Sequence, residues 1–370
     1  MIIRRLFSVF LVSLFLFFSS FGAAIDVLLC PYDTGDSNIM RRVVSQLRQE
    51  GKSFTIAGFG RGSEIFGKEK EFFLLEGGSK GNRKQVIPES SIKTLQEKFK
   101  PKSVLSGMAS VGQAQVLNAF KGKAKTIAVY DNFDSPKGKE FIRPFMQVVG
   151  EISMYMIPAE FLTSDFQLLA KGSEIKVVGQ PVLEEWEEIF EKTDKDKLRT
   201  KLELKEIKKV VVFAGGMDET YPSYLDLFVK AVAQKPDWQI YITYHPKSDG
   251  SVERTAVAKS GAQNIIVSNE VKTNVLATIA SALVCHKSSV CQQAFSVGVA
   301  CAYVERGDYQ NFLTEYGLVP RIDSEKALLG FLDMQKNMPD KSAMERNQKT
   351  MKERGIPSSA TKTIVENLVS

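Results

Sequence analysis

Five short stretches of this chain hold residue types that can handle phosphate or move a proton. Tyr244-His245-Pro246-Lys247 carries one of only two histidines, with a lysine two residues on that can neutralise an anion. His286-Lys287-Ser288-Ser289 precedes an expected helix from Val290 to Val297, so Ser288 and Ser289 offer hydroxyls and unpaired backbone N–H groups where the helix dipole favours negative charge. Thr34-Gly35-Asp36 and Asp131-Asn132 supply carboxylates able to take a proton from a hydroxyl. In Glu305-Arg306-Gly307-Asp308-Tyr309-Gln310, Arg306 suits phosphate, and Asp308 or Gln310 suits hydroxyl groups. Plain structural roles explain the same residues. Asp36, or Ser37 beside it, is a good helix N-cap, the serine pair is an ordinary cap, and His-Pro is a turn former.

The elements around these stretches decide where they fall. Ala282-Leu283-Val284-Cys285 and Cys301-Ala302-Tyr303-Val304 are too short for core helices and read as buried parallel strands. The pattern of strand, polar loop and helix recurs along the chain. Ile25 to Cys30 reads as a first strand, and the next helix carries Met40, Val43, Val44 and Leu47 on one face with Gly51 closing it. Strands at Phe54 to Ala57, Val104 to Ser106, Thr126 to Tyr130, Ile152 to Ile157 and Ile175 to Val178 complete a first α/β half over residues 25–181. A Glu/Lys-rich stretch over 182–208 reads as a linker. The second half, 209–335, restarts at Val210 to Phe213, turns at Gly215-Gly216 and adds strands at 239–244, 265–268, 282–285 and 301–304. A polar helical tail, 336–370, ends in a helix from Ala360.

Composition narrows the function classes. A net charge of +6, without a stripe of Lys and Arg interleaved with aromatics, does not call for nucleic acid. The four cysteines, at 30, 285, 291 and 301, form no C-x-x-C pair, so no metal is expected, and they read as small core residues. No cofactor is implied. Arg4 and Arg5, the apolar run Leu6 to Phe18 and a small-residue site at Gly22-Ala23-Ala24 look like a secretory signal over residues 1–24. Uncleaved, residues 6–25 would associate with a membrane as an anchor. Either way the body is expected to be exported. A Ser-His-Asp hydrolase is disfavoured, since there is no G-x-S-x-G elbow.

Two α/β domains in series with a C-terminal helix resemble the GT-B glycosyltransferase superfamily. The passage Val177-Val178-Gly179-Gln180-Pro181, the Ala214-Gly215-Gly216 turn and the stretch Leu276 to Leu318 follow the order found there. His245-Pro246 and Ser288-Ser289 are similar to the HP and Ser-Ser elements of bacterial sialyltransferases and glycerol-phosphate transferases, which hold the donor nucleotide. The resemblance implies two Rossmann-like domains facing a cleft, with the last helix returning to the first domain. It further implies a nucleotide sugar, or other phosphorylated small molecule, on Gly215, Gly216, His245, Lys247, Ser288, Ser289, Gln293, Arg306 and Asp308. The acceptor would lie near Gly35, with Asp36 as catalytic base and Asp131 as second candidate. Many members use a Glu to grip the donor ribose where this chain has Gln292 and Gln293, which keeps a hydrogen bond and loses the charge. The epimerase signature His-Val-Glu-Ala-Gly-Leu-Arg is absent. An exported solute-binding protein and a GT-B scaffold without catalysis are the alternatives, the first set apart by its repeated chain crossings between domains.

Overall fold

A computed structural model describes residues 22–79, 81–170, 172–204, 209–306, 309 and 311–370. The expected signal lies outside them except for its last residues. Ala23 and Ala24, placed at the cleavage site by the sequence, are the first residues of a strand and pair with Phe99 and Lys100. Among the described residues no helix is long and apolar enough to cross a membrane. The described residues divide into two compact units, those of 22–181 with 355–370, and those of 182–354.

The first unit alternates strands and helices: β1 (Ala23–Cys30), α1 (Thr34–Gln49), β2 (Phe54–Gly58), α2 (Arg61–Phe66), β3 (Phe72–Leu74), α3 (Glu89–Lys98), β4 (Phe99–Ser106), α4 (Val111–Phe120), β5 (Lys125–Val129), α5 (Arg143–Val148), β6 (Met154–Ile157), α6 (Thr163–Leu169) and β7 (Glu174–Val177). The strands form one parallel sheet in the order β3-β2-β1-β4-β5-β6-β7. Because strand side chains alternate between faces, Leu28 of β1 joins one core cluster and Val27 and Leu29 the other. Met40, Val43, Val44 and Leu47, spaced at helical period, seat α1 on the second face.

The helices α7 (Pro181–Lys192) and α8 (Lys195–Lys201) lie in the stretch that reads as a linker, and from Val182 on they belong to the second unit. Trp186 and Phe190 of α7 are buried, and Glu184, Glu185, Glu187 and Glu188 around them are half-buried. There follow β8 (Val210–Ala214), α9 (Tyr221–Ala233), β9 (Gln239–Thr243), α10 (Ser251–Ser260), β10 (Ile265–Val267), α11 (Thr273–Ala277), β11 (Ala282–Cys285), α12 (Val290–Ser296), β12 (Cys301–Val304), α13 (Phe312–Glu315), β13 (Arg321–Ile322), α14 (Glu325–Met334) and α15 (Lys341–Glu353). This sheet is also parallel, in the order β10-β9-β8-β11-β12-β13. The four cysteines are buried free thiols.

The last helix, α16 (Ala360–Val369), returns to the first unit and packs beside α1. Its Ile364, Val365 and Leu368 join the α1 cluster, and Ser103 Oγ of β4 donates to the Leu368 carbonyl at 2.6 Å. The expected tail is thus divided, since α15 belongs to the second unit and only residues from Gly355 belong to the first.

Candidate functional site

In an open parallel sheet the place to look is outside the carboxyl ends of the two strands where the strand order reverses, because adjacent loops diverge there and leave room. In the first unit these strands are β1 and β4. Asp36 sits between their loops. It is not the N-cap of α1, as the sequence suggests. Asp33 is, accepting the Thr34 N–H at 2.8 Å, and Asp36 closes the capping box by accepting the Asp33 N–H at 3.0 Å. Its Oδ1 also accepts the Tyr32 N–H at 3.2 Å and the Ser37 hydroxyl at 3.3 Å, while Oδ2 accepts from Gln113 Nε2 at 2.7 Å. Gln113 lies in the first turn of α4, directly after the β4 loop, and sequence reasoning missed it.

Two glycines make the approach possible. A Cβ on Gly107, just past β4, would stand 2.0 Å from Asp36 Oδ2, and one on Gly35 would stand 1.6 Å from Asp131 Oδ2. Gly35 therefore admits the Asp131 carboxyl to the first turn of α1. Asp131 follows β5, and its carbonyl accepts from Gln180 Nε2 at 2.7 Å. The two carboxyls line a pocket of about 190 Å³ with Asp33, Arg83, Met108, Ala109, Asn132 and Phe141. Arg83 pairs with Asp33 through Nη2, and its guanidinium lies 5.5 Å from the centre of the Phe141 ring.

Burial, joined by the negative charge of Asp131, pushes Asp36 up to about 8 against the bonds from Gln113 and Tyr32. Burial also pushes Asp131 up to about 6, with Asp33 adding to the rise and Arg83 opposing it. Near neutral pH Asp36 then holds its proton and Asp131 is ionised. One carboxyl can donate and the other accept, the division of roles that environment imposes on a close acidic pair.

In the second unit the order reverses between β8 and β11. Gly215 N–H donates to the Thr243 carbonyl at 2.7 Å, and a Cβ on Gly216 would stand 3.0 Å from the Tyr221 ring and 3.4 Å from His286. The glycine pair thus lets the β8 loop lie against the ends of both neighbouring strands. His286, 1% exposed, is the hub. Its Nε2 lies 3.1 Å from Asp218 Oδ1 and 3.2 Å from Thr220 Oγ1, and its Nδ1 lies 3.0 Å from the Val304 carbonyl and 3.2 Å from Glu305 Oε2. Tyr224 stacks on its ring with centroids 4.5 Å apart. Hydrogen bonds from Thr220, His286 and Lys287 hold the Asp218 carboxyl well below the usual range despite its partial burial, whereas burial raises Glu305. Sequence reasoning quoted His286 and Glu305 in passing and gave neither a role.

The expected donor residues lie on this same edge. His245 and Lys247 follow β9, with the Lys247 N–H donating to His245 Nδ1 at 3.1 Å. Ser288 and Ser289 follow β11. Since β9 and β11 flank β8, the two loops start about 10 Å apart, two strand spacings. Ser288 Oγ accepts the Val290 N–H at 3.3 Å, and Ser289 occupies the N-cap position of α12 without a side-chain cap bond. Lys287 adopts the left-handed conformation at φ +45°, rare outside glycine, and its Nζ lies 3.2 Å from Asp218 Oδ2. Gln293 is half-buried and Gln292 fully buried on α12. Arg306 donates through Nε to the Asp323 carbonyl and borders a separate pocket of about 800 Å³ against α9 with Thr220, Tyr224 and Lys230. Asp308 lies outside the described residues. Among the described residues no cluster of His, Cys, Asp and Glu is arranged to hold a metal ion.

No protein-family model matches the chain, and no curated protein matches it. Solved structures do. UDP-GlcNAc 2-epimerase from Neisseria meningitidis bound to UDP-GlcNAc superposes with a TM-score of 0.66 at 14% identity, over 93% of this chain and 100% of that one. Anabaena HepE in complex with UDP and glucose gives 0.62 at 12% identity, over 93% and 99%. CalG4, the calicheamicin glycosyltransferase, gives 0.58 at 13% identity, over 94% and 98%. With its two parallel sheets and returning C-terminal helix, the chain has the two-domain α/β fold of the GT-B type.

Proposed function

We propose that the protein binds a nucleotide sugar and transfers its sugar to an acceptor hydroxyl. The observation that carries this reading is the acidic pair in the first unit: Asp36 beside the reversal of strand order between β1 and β4, and Asp131 after β5, whose carboxyl reaches the first turn of α1 at Gly35 and lines the same pocket. In the transfer the acceptor O–H proton passes to Asp131, the acceptor oxygen bonds to the sugar's anomeric carbon, and the bond from that carbon to the phosphate oxygen breaks. Asp36, protonated, donates a hydrogen bond that orients the acceptor. In the second unit, Lys247 and the hydroxyls and N–H groups of Ser288 and Ser289 have the chemistry that suits a diphosphate. The names of the structural neighbours, which include a UDP-GlcNAc complex and a UDP and glucose complex, support a uridine nucleotide as the first donor to try.

The same pair would also serve proton exchange at a sugar carbon, and the likeness to UDP-GlcNAc 2-epimerases makes that the second reading. Calorimetric titration with UDP, UDP-glucose and UDP-GlcNAc, followed by proton NMR of the sugar, separates them. Release of UDP with a new glycoside is expected, and a C2 epimer instead would move the assignment to the second reading. If no nucleotide or nucleotide sugar binds while a free sugar or amino acid does, the protein is a solute-binding protein.

A further inference from the structure

We propose that Gln113 is a positioning residue that sets how tightly Asp36 holds a proton on Oδ2. The argument is one of hydrogen-bond valence. Oδ1 of Asp36 already receives three donors, the N–H groups of Tyr32 and Asp33 and the Ser37 hydroxyl. The two backbone N–H groups alone occupy its two lone pairs, so no place remains there for a proton. Oδ2 receives one donor, Gln113 Nε2 at 2.7 Å, and keeps one position open.

Gln113 cannot turn its amide over to accept instead. Its second Nε2 hydrogen goes to the Cys30 carbonyl at 3.0 Å, and its Oε1 accepts the Ala109 N–H at 2.8 Å and the Ser110 hydroxyl at 3.4 Å. All four of its hydrogen-bonding positions are filled by the β1 and β4 loops and their helices, and the residue is fully buried. Flipping would set two N–H donors against one another at Ala109 and two acceptors at Cys30. Gln113 therefore always presents an N–H to Oδ2, which favours the ionised form and limits how far burial raises Asp36. The other charged or titratable groups facing Asp36 are Asp33 at the N-cap of α1, Asp131 after β5, Cys30 at the end of β1 and Tyr32 in the loop after it, with Arg83 across the pocket. None of these donates to Oδ2.

This inference rests on the reading of Asp36 as one member of the acid–base pair, and the test keeps the two separable. Protein labelled at aspartate carboxyl carbons is titrated by NMR from about pH 4 to pH 10, bracketing the shifted pair. Gln113→Met retains shape and loses the donor, so the Asp36 midpoint is expected to rise by about one unit, the effect of losing one hydrogen bond to a charged group. Gln113→Glu keeps the acceptor for Ala109 and sets a second oxygen against Oδ2, and it too should raise the midpoint if the methionine variant fails to fold. A folded variant with an unchanged midpoint overturns the proposal. In the transferase assay the pH profile of kcat/KM should move with the midpoint. If the midpoint moves while the wild-type protein turns over no nucleotide sugar, positioning stands and the catalytic reading fails.

Discussion

Two aspartates three residues apart at the start of α1 divide the work, Asp33 as N-cap and Asp36 as the buried carboxyl of the first turn, and two substitutions tell them apart. Asp33→Ala removes the N-cap bond to Thr34 and should cost about 1 kcal/mol, its partly exposed pairing with Arg83 adding little. Asp36→Asn behaves differently. With Oδ1 still taking the N–H groups of Tyr32 and Asp33, its amide nitrogen would face the Gln113 donor, and that clash should cost about 1–3 kcal/mol. Urea unfolding near pH 6 measures both, and an Asp36→Asn variant as stable as wild type would refute the wiring around Oδ2. The importance of Asp36 was readable from its place after a first strand, and Asp33-x-x-Asp36 is a visible capping-box spacing. Its burial was not readable, because that depends on Gln113, 77 residues on. His286 was overlooked for the same reason, since Asp218 lies 68 residues before it.

Among the elements, those with strong periodicity were legible and those whose role is set by neighbours were not. The apolar face of α1 and the buried runs of β8 and β11 announce themselves, because a fully buried strand or a 3.6-period stripe has no other economical reading. Edge strands β3 and β13, three and two residues long, carry no such pattern, and Leu74 at the end of β3 is largely exposed. α7 was hidden by its glutamates, although Trp186 and Phe190 four residues apart mark a buried stripe. The return of α16 has a direct consequence for stability. Leu368 is buried against α1, with its carbonyl held by Ser103, so Leu368→Ala should cost about 2–5 kcal/mol. A loss below about 1 kcal/mol in chemical denaturation would mean that the helix is not a working part of the first core.

For the molecule as a whole, the acidic pair ties stability to pH in a direction opposite to most carboxylates. Asp36 and Asp131, raised to about 8 and about 6, keep protons in the folded state that the unfolded chain has released above about pH 4. Their contribution to stability is therefore full below about pH 4 and is lost as pH rises through 6 and then 8. Asp26, held to about 2 by Lys102 and Ser53, works the other way, giving stability that is lost only on strong acidification. Between about pH 6 and pH 8 the Asp36 proton should dominate the first unit, and its thermal midpoint by far-UV circular dichroism should fall as pH rises through that window. Both tryptophans, Trp186 and Trp238, lie in the second unit, so their fluorescence follows that unit and distinguishes the effect from titration of Glu305, which burial also raises. Asp36→Asn cannot release the proton and should level the profile above about pH 6, leaving only the Asp131 slope at lower pH. A wild-type midpoint that stays constant across the window would show that Asp36 is already ionised in the folded protein, and the division of the pair into donor and acceptor would fall with it.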